Sequence, residues 1–335
     1  MLTRPRIRQL GLGELLDESF RLYRSNFLTF VAITALILVP YTLISFIVQY
    51  PLQEQLAELQ NQANSGSNPF GQASPFQFFS DMLFWYVGLM GLGLFYTVIF
   101  QPLLEGALAH GISQRYLGRE TGVGESFGAA LRRGAALIGA RLIPTLIGAA
   151  ITGGVFGLLA LLGVLLVGQS ISDESSAQSL AGIAILGMLG LGLLAVISVL
   201  ILALLVRIFF TSQAVMVEGQ GAWSSLVRSW HLTQGYFWRT VGYLLVILLL
   251  MYFLVSVPAM VIVMPTVLLN VDPRIQLVIS SVVSAVFSVI ATPFSMISYT
   301  LMYFDLRIRK EGFDLEQQAS TLLAPGPDLS PLESR

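Results

Sequence analysis

The chain has no cysteine, only two histidines, and few charged residues of any kind. Without cysteine it has no disulfides, no thiolate nucleophile and no cysteine-ligated metal site. Charged residues make up 11% of the 335 residues, against about 25% in soluble domains, whereas 55% of the residues are hydrophobic. The mean hydropathy is +0.76. These values exclude an ordinary water-soluble domain and indicate that the chain folds in a membrane.

Six long apolar runs are present, and each can cross the ~30 Å hydrocarbon layer as a helix, which takes about 20 residues. The pattern therefore predicts an all-α integral membrane protein with six transmembrane helices. The runs are Phe27 to Val48, Met82 to Ala109, Leu137 to Val167, Leu180 to Met216, Val241 to Thr266 and Ile275 to Tyr303.

Almost all basic residues lie in the segments that connect the runs on one side of the predicted membrane. Two of the connections, Gln49 to Asp81 and Gly168 to Ser179, contain no Lys or Arg, and a third, Val267 to Arg274, contains only Arg274. Of the other seventeen basic side chains, fifteen fall at the amino terminus, in the second and fourth connections, or in the tail, and Arg141 and Arg207 lie in apolar runs near the ends that face these connections. Because cytoplasmic loops carry the excess of Lys and Arg, both termini are predicted to lie in the cytoplasm.

One unit is used three times along the chain. Leu22 to Phe27 aligns with Leu232 to Phe237 at an offset of 210 residues, and Pro102 to Glu120 aligns with Pro293 to Glu311 at an offset of 191. A looser middle copy begins near Gly124. The predicted organisation is a pseudo-threefold repeat inside a membrane domain, with an arm before it and a tail after it. The segments are a cytoplasmic arm, 1–10; a six-span domain, 11–316, with repeats at about 11–120, 121–219 and 220–311; and a disordered cytoplasmic tail, 317–335.

A short amphipathic segment precedes the first span of each copy. In the first copy, Leu12, Leu16, Phe20, Tyr23 and Phe27 recur at helical spacing, and Trp223 and Trp230 belong to the same kind of stripe in the third. Such segments are typical of interfacial helices that present arginines to anionic lipid headgroups. The alternative is that they pack on the inner end of the bundle as elbow helices. The predicted interfacial residues are Trp223, Trp230, Arg228, Arg21 and Arg24.

Three charged residues enter the apolar runs: Glu105, Arg141 and Arg207. Ionisable residues at membrane depth are costly and often functional, so they form a candidate polar cluster that lines one inner pocket. The alternative is that their long side chains reach back to the headgroups. His110 and His231 sit at helix ends, where a structural role is favoured over metal binding, and no cofactor is predicted.

The closing segment Tyr303-Phe304-Asp305-Leu306-Arg307-Ile308-Arg309-Lys310-Glu311, together with Leu12-Gly13-Glu14-Leu15-Leu16-Asp17 at the front, resembles a family of bacterial integral membrane proteins. This family is known as the membrane domain of glycerophosphodiester phosphodiesterases. The resemblance implies a six-span module in the bacterial cytoplasmic membrane, with Asp305, Arg307, Arg309, Lys310 and Glu311 as its motif. The phosphodiesterase reaction of fused members needs a barrel of about 250 residues, which the non-spanning segments of this chain cannot hold. No enzymatic activity is therefore expected.

Two function classes stay open on the sequence. The first is a non-catalytic scaffold or accessory subunit that contacts membrane lipids and partner membrane proteins, and it is favoured by the lack of reactive constellations. The second is a transporter or lipid-handling permease with an inward-facing cavity, which the repeats and the proline-rich spans would suit. No nucleic-acid partner is expected in either case.

Overall fold

The computed structural model describes residues 8–64, 75–172, 176–269 and 271–312, and every regular element in these ranges is helical. The predicted all-α class is therefore confirmed. The predicted tail and residues 1–7 of the predicted arm lie outside the described residues. The helices are α1 (Leu12–Ser25), α2 (Phe27–Asn64), α3 (Pro75–Phe95), α4 (Gln101–Tyr116), α5 (Val123–Arg132), α6 (Gly134–Ser172), α7 (Ser176–Arg207), α8 (Thr211–Glu218), α9 (Ala222–Thr233), α10 (Phe237–Met251), α11 (Val257–Leu268) and α12 (Pro273–Glu311).

Six helical segments in the described part of the chain are long and apolar enough to cross a membrane, one for each predicted run. In the most apolar stretch of each segment, only 0% to 22% of the residues are buried inside the protein. Most of this apolar surface therefore faces outward, as is expected of a bundle embedded in lipid. The segments are Phe27–Gln55, Leu83–Tyr116, Gly134–Ile151, Gly190–Glu218, Phe237–Leu268 and Pro273–Glu311.

Three of the spans are not continuous α-helices. A π-helical turn, Tyr96–Phe100, joins α3 to α4 just before Pro102, and a second, Tyr252–Ser256, joins α10 to α11 just before Pro258. Proline has no N–H to donate and its ring clashes with the preceding turn, so the helix widens where the proline enters. In the fourth span the chain leaves the helix at residues 208–210 and restarts as α8.

The buried core lies at the end of the bundle where α4, α8 and α12 meet. Leu108 of α4, Tyr303 of α12 and Phe210, which directly precedes α8, are fully enclosed there. Phe210 and Tyr303 have ring centroids 6.2 Å apart, and Tyr116 packs on Phe304 at 5.3 Å. The halves of the spans that lie farther from this core are largely exposed, so the contacts that fix the fold are concentrated at the core end.

Two of the short helices fold back on the span that precedes them. Helix α5 runs antiparallel to α4: the Arg115 guanidinium donates to the Thr121 carbonyl at the turn, and Gly111 lies against Ser126 further along. Helix α9 does the same with α8, to which it is joined by residues 219–221. The turn begins at Gly219, whose φ of +75° suits glycine because it has no Cβ.

Helix α1 forms a third pair of this kind, but with α12 at the other end of the chain. Leu10 contacts Asp305, Phe20 packs on Phe294, and the Tyr23 hydroxyl donates to the Ile290 carbonyl at 2.8 Å. As the residue number rises along α1, the number of the contacted residue in α12 falls, so the two helices are antiparallel. The chain ends therefore complete a closed ring of three helical pairs.

The face that α1 buries differs from the stripe predicted to be apolar. Leu15, Ser19 and Leu22 are enclosed by the bundle, whereas Leu12 and Phe20 of the predicted stripe are exposed. Helix α9 likewise buries Ser225, Ser229 and Leu232. Leu226 of α9 is buried as well, so both buried faces combine leucines with serines, whereas the aromatic residues Phe20, Trp223 and Trp230 stay outside.

Close helix contacts involve glycines different from those the sequence suggested. In the sequence, glycine-rich runs such as Gly153-Gly154 and Gly182 to Gly192 favour close helix contacts by their composition. Gly153, Gly154, Gly187 and Gly192 instead have open space where a Cβ would lie. The tight contact is at Gly106 of α4, where a Cβ would come within 2.5 Å of Leu137 in α6.

Candidate functional site

Asp305 is the most enclosed carboxylate among the described residues, with a relative exposure of 1%. It accepts hydrogen bonds from Arg309 at 2.8 Å, from Arg239 at 2.9 Å and from the backbone N–H of Leu10 at 2.9 Å. The Leu10 carbonyl in turn accepts from Arg239 and Arg309, each at 2.7 Å. These four residues, which we call the clasp, join the N-terminal segment to α10 and α12.

The carboxylate of the clasp is fully engaged. A buried carboxylate is tolerated when opposite charges and hydrogen bonds replace the lost water, and here two guanidinium groups and one amide do so. The Nε and Nη2 atoms of both arginines are directed at Asp305 or Leu10, so the carboxylate is held as an ion-pair partner. Its chemical role is to hold the chain ends together.

A second ionic network occupies another face of α12. Arg228 of α9 binds Glu218 with its Nε and Nη2 atoms at 2.7 and 2.9 Å, and it also binds Glu311. The Tyr303 hydroxyl donates to Glu218, and Arg307 lies 3.2 Å from the same carboxylate. Hydrogen bonds to Glu311 and Glu218 raise the pKa of the Arg228 guanidinium, so Arg228 stays charged.

All five residues of the motif at the end of α12 are used inside the protein. Asp305 and Arg309 belong to the clasp, whereas Arg307 and Glu311 belong to the second network. The Lys310 ammonium donates to the carbonyls of His231 and Gln234, where α9 ends. Cations stabilise the carboxyl end of a helix, so Lys310 fixes the exit from α9.

The predicted cluster of Glu105, Arg141 and Arg207 is not joined by ion pairs within the described residues. Glu105 accepts from Ser212 at 2.7 Å and from Gln101 at 2.9 Å, at the contact of α4 with α8. The Arg207 guanidinium instead lies over the Trp230 ring, 4.9 Å from its centroid. A single pocket lined by all three stays a prediction.

The predicted interfacial residues divide into two groups. Trp223 and Trp230 are 68% and 42% exposed, and Arg24 borders a shallow cleft of about 480 Å³ beside Arg21, which pairs with Glu18. All four side chains are exposed on the surface of the protein, and their interfacial placement stays a prediction. Arg228 has a different role from the predicted one, because Glu218 and Glu311 engage its guanidinium.

Three important residues were missed by the sequence interpretation: Leu10, Arg239 and Glu218. The spacing of Asp305 with Arg309 and of Arg307 with Glu311 does predict two helical ion pairs at i,i+4. Leu10 contributes only backbone atoms, and Arg239 is separated from Asp305 by the whole of two spans. No local pattern in the sequence signals contacts of that kind.

Within the part of the chain that the structure describes, no group of three or more histidine, aspartate or glutamate side chains is placed to hold a metal ion. One family match covers residues 123–303, just over half of the chain, and its description is a domain of unknown function (DUF7847). No curated protein matches the chain, and no solved structure does. The predicted resemblance to glycerophosphodiester phosphodiesterase membrane domains stays a prediction.

Proposed function

Since the chain belongs to the family of the DUF7847 domain of unknown function, we propose its role from geometry alone: a non-catalytic scaffold or accessory subunit of the membrane. In this role the bundle contacts anionic lipid through its short helices and presents its spans to partner membrane proteins. One observation carries the proposal: α1 and α9 turn leucines and serines toward the bundle and leave the large aromatic residues Phe20, Trp223 and Trp230 exposed.

The exposed side chains suit the headgroup layer better than water. Phe20 is 40% exposed, and Trp223 and Trp230 are exposed on the helix that precedes the fifth span. Aromatic rings are favoured where one end of the side chain meets hydrocarbon and the other meets water. Arginines beside them would attract anionic lipids, at about 1 kcal/mol for each basic residue near the surface. Interfacial placement of α1, α5 and α9 is part of this proposal.

The pseudo-threefold repeat is also part of the proposal, and burial supports it. The offset of 210 residues superposes Ser19 on Ser229 and Leu22 on Leu232, and all four side chains are buried. The same offset relates the starts of α1 and α9, and of α2 and α10. Three helical pairs closing one ring are what a repeated unit would build.

We place the protein in the bacterial cytoplasmic membrane with both termini in the cytoplasm. The arginine distribution supports the orientation, and the resemblance at the end of α12 supports the bacterial origin. The carboxylates of α12 are engaged by arginines rather than left available as acids or bases, which supports a role without catalysis.

Tryptophan fluorescence in vesicles tests the lipid contact. A variant that keeps Trp223 as its only tryptophan is reconstituted with lipids brominated either near the headgroup or near the end of the acyl chain. We expect stronger quenching by the bromine nearer the headgroup. Quenching by aqueous iodide, without quenching by either lipid, would place α9 in water and overturn the proposal.

A permease is the second candidate, and Glu105 is the observation that favours it. This carboxylate lies between α4 and α8 next to the π-helical turn Tyr96–Phe100, and such turns are frequent at functional sites. Proteoliposomes distinguish the two roles. Solute flux that requires the protein and is lost in Glu105→Gln would favour the permease, whereas a bundle that conducts nothing supports the scaffold.

A further inference from the structure

Arg207 occupies an unusual place at the end of α7. It is the last residue before the interruption of the helix at residues 208–210. Its guanidinium carbon lies 4.9 Å from the Trp230 ring centroid and 5.3 Å from that of Phe237. Trp230 belongs to α9, and Phe237 is the first residue of α10. Two separate elements, α9 and α10, therefore place aromatic rings beside a cation that a third element, α7, supplies.

The charge of Arg207 is not balanced by a carboxylate among the described residues. No ion pair or side-chain hydrogen bond of its guanidinium occurs in that part of the chain, whereas Arg228, Arg239 and Arg309 all bind acids. The aromatic faces attract the cation but accept no hydrogen bond of ordinary strength from its five N–H groups. A half-buried guanidinium at the end of an apolar span thus has donors left to satisfy.

A phosphate group fits these donors. Its oxygens accept two parallel hydrogen bonds from one guanidinium, a geometry that planar arginine matches and that lysine does not. Access is from outside the bundle, because Trp230 is partly exposed and Trp238, which follows Phe237, is 81% exposed. Both rings are of the kind found at the level of lipid headgroups.

We propose that Arg207, framed by Trp230 and Phe237, binds the phosphate of an anionic phospholipid headgroup at the inner face of the membrane. This rests on the proposed function and makes it specific, because it assigns one headgroup to one guanidinium. The two ring centroids lie 4.9 and 5.3 Å from the guanidinium carbon, and the N–H groups of the guanidinium are left to bind the phosphate. The short helix α9 is thereby tied to the lipid as well as to the fourth span.

Native mass spectrometry of the whole protein in mild detergent tests the site. Phosphatidylglycerol is added to the wild type, to Arg207→Gln and to Arg274→Gln, a control on the predicted outer side. We expect Arg207→Gln to retain the tightest-bound lipid about tenfold more weakly, because a charge-assisted bidentate contact is lost. Arg274→Gln should bind as the wild type does. Equal retention in all three proteins would overturn the proposal.

Two further measurements identify the source of the phosphate and separate loss of binding from loss of the fold. Inorganic phosphate at millimolar concentration should not displace the lipid; if it does so fully, the site takes free phosphate and the lipid assignment is wrong. Arg207→Lys keeps the charge and the fold but not the paired donors, so its retention should also fall. Wild-type retention in Arg207→Lys would contradict bidentate binding.

The outcome is separable from that of the proposed function. If Trp223 fluorescence reports headgroup contact while Arg207→Gln retains phosphatidylglycerol as the wild type does, the Arg207 site is wrong and the scaffold proposal stands. If Trp223 is in water, the proposed function fails whatever Arg207 binds.

Discussion

Asp305 stabilises the fold through two arginines that come from different helices. Replacing it by asparagine keeps the shape of the side chain but leaves Arg239 and Arg309 without an acid inside the protein. We expect Asp305→Asn to lower the free energy of unfolding by about 3–5 kcal/mol, the usual cost of breaking a buried ion pair. The measurement is unfolding by a denaturing detergent, followed by circular dichroism.

Glu54→Gln is the matched control for Asp305→Asn. Glu54 pairs with Arg274 at 2.8 Å, but both side chains are about half exposed, at 47% and 53%. Exposed pairs contribute about 0–1 kcal/mol, so this substitution should hardly change stability. Equal losses in the two variants would contradict a structural role for the clasp.

At the level of single residues, the sequence predicted charges and exposure better than partners. Trp223 and Trp230 are exposed, in agreement with the interfacial prediction, because bulky aromatic residues on a helix that otherwise carries serines cannot all be enclosed. Arg228 was predicted to face lipid and instead binds Glu218 and Glu311. Its partners lie on other elements, and a pattern along one helix carries no information about them.

Helix packing depends on Gly106, where α4 and α6 come closest. A Cβ there would lie 2.5 Å from Leu137, which is itself buried and cannot easily move. We expect Gly106→Ala to destabilise the protein by about 1–3 kcal/mol through overpacking. The measurement is again detergent-induced unfolding. Gly106→Ala combined with Leu137→Ala should cost less than the sum of the two single substitutions, because the added methyl group then enters space that Leu137 has vacated.

The control for Gly106→Ala is the same substitution at Gly148, where the space around a Cβ is empty. Alanine is the better helix former by about 0.5–1 kcal/mol, so Gly148→Ala should leave stability unchanged or slightly raised. Destabilisation at Gly148 as large as at Gly106 would mean that propensity or lipid contact, and not the approach of α4 to α6, governs the effect.

Ser229 of α9 supplies the hydrogen-bond partners that the backbone lacks where the helix is interrupted between α7 and α8. Its hydroxyl accepts from the Phe210 N–H at 3.0 Å and donates to the Arg207 carbonyl at 2.9 Å. Ser229→Ala leaves the buried Phe210 N–H without its acceptor, and the Arg207 carbonyl keeps only the longer contact from the Thr233 hydroxyl at 3.4 Å. This should lower the free energy of unfolding by about 1–3 kcal/mol. Hydrogen exchange of α8 and α9, measured by mass spectrometry, should rise in the same variant.

Ser224→Ala provides the comparison for Ser229→Ala. Ser224 lies on the exposed side of α9 and donates only to the Gly221 carbonyl of its own helix. Its loss should change stability by no more than about 0.5 kcal/mol. If both alanine variants behave alike, Ser229 does not support the break.

At the level of elements, the sequence predicted all six spans because hydrocarbon thickness sets a length that composition reveals directly. It did not predict the break at 208–210, since residues 208–210 are themselves apolar and carry no glycine or proline. Nor did it predict which side of α1 is buried. In a membrane, the most apolar face of a helix can be turned toward lipid as readily as toward the protein core. Apolarity alone therefore does not identify the face that is buried in the protein.

At the level of the whole molecule, the pairing of α1 with α12 brings the two ends of the domain together. Because the chain has no cysteine, two can be introduced on a clean background. We expect Phe20→Cys combined with Phe294→Cys to be joined by a short thiol-reactive cross-linker, since the native rings lie 4.5 Å apart. Phe20→Cys with Leu83→Cys, in the second span, is the control and should not be joined. Equal cross-linking of both pairs would contradict the closed ring.

The central claim is that the arginine-rich end of a six-span bundle faces the cytoplasm, and reporter fusions test it most directly. A reporter active only outside the cytoplasm is inserted after Gly66 or after Ser175, and one active only inside is fused to each terminus. The account predicts activity in all four fusions. A cytoplasmic Gly66 or Ser175, or a terminus outside the cytoplasm, would contradict it.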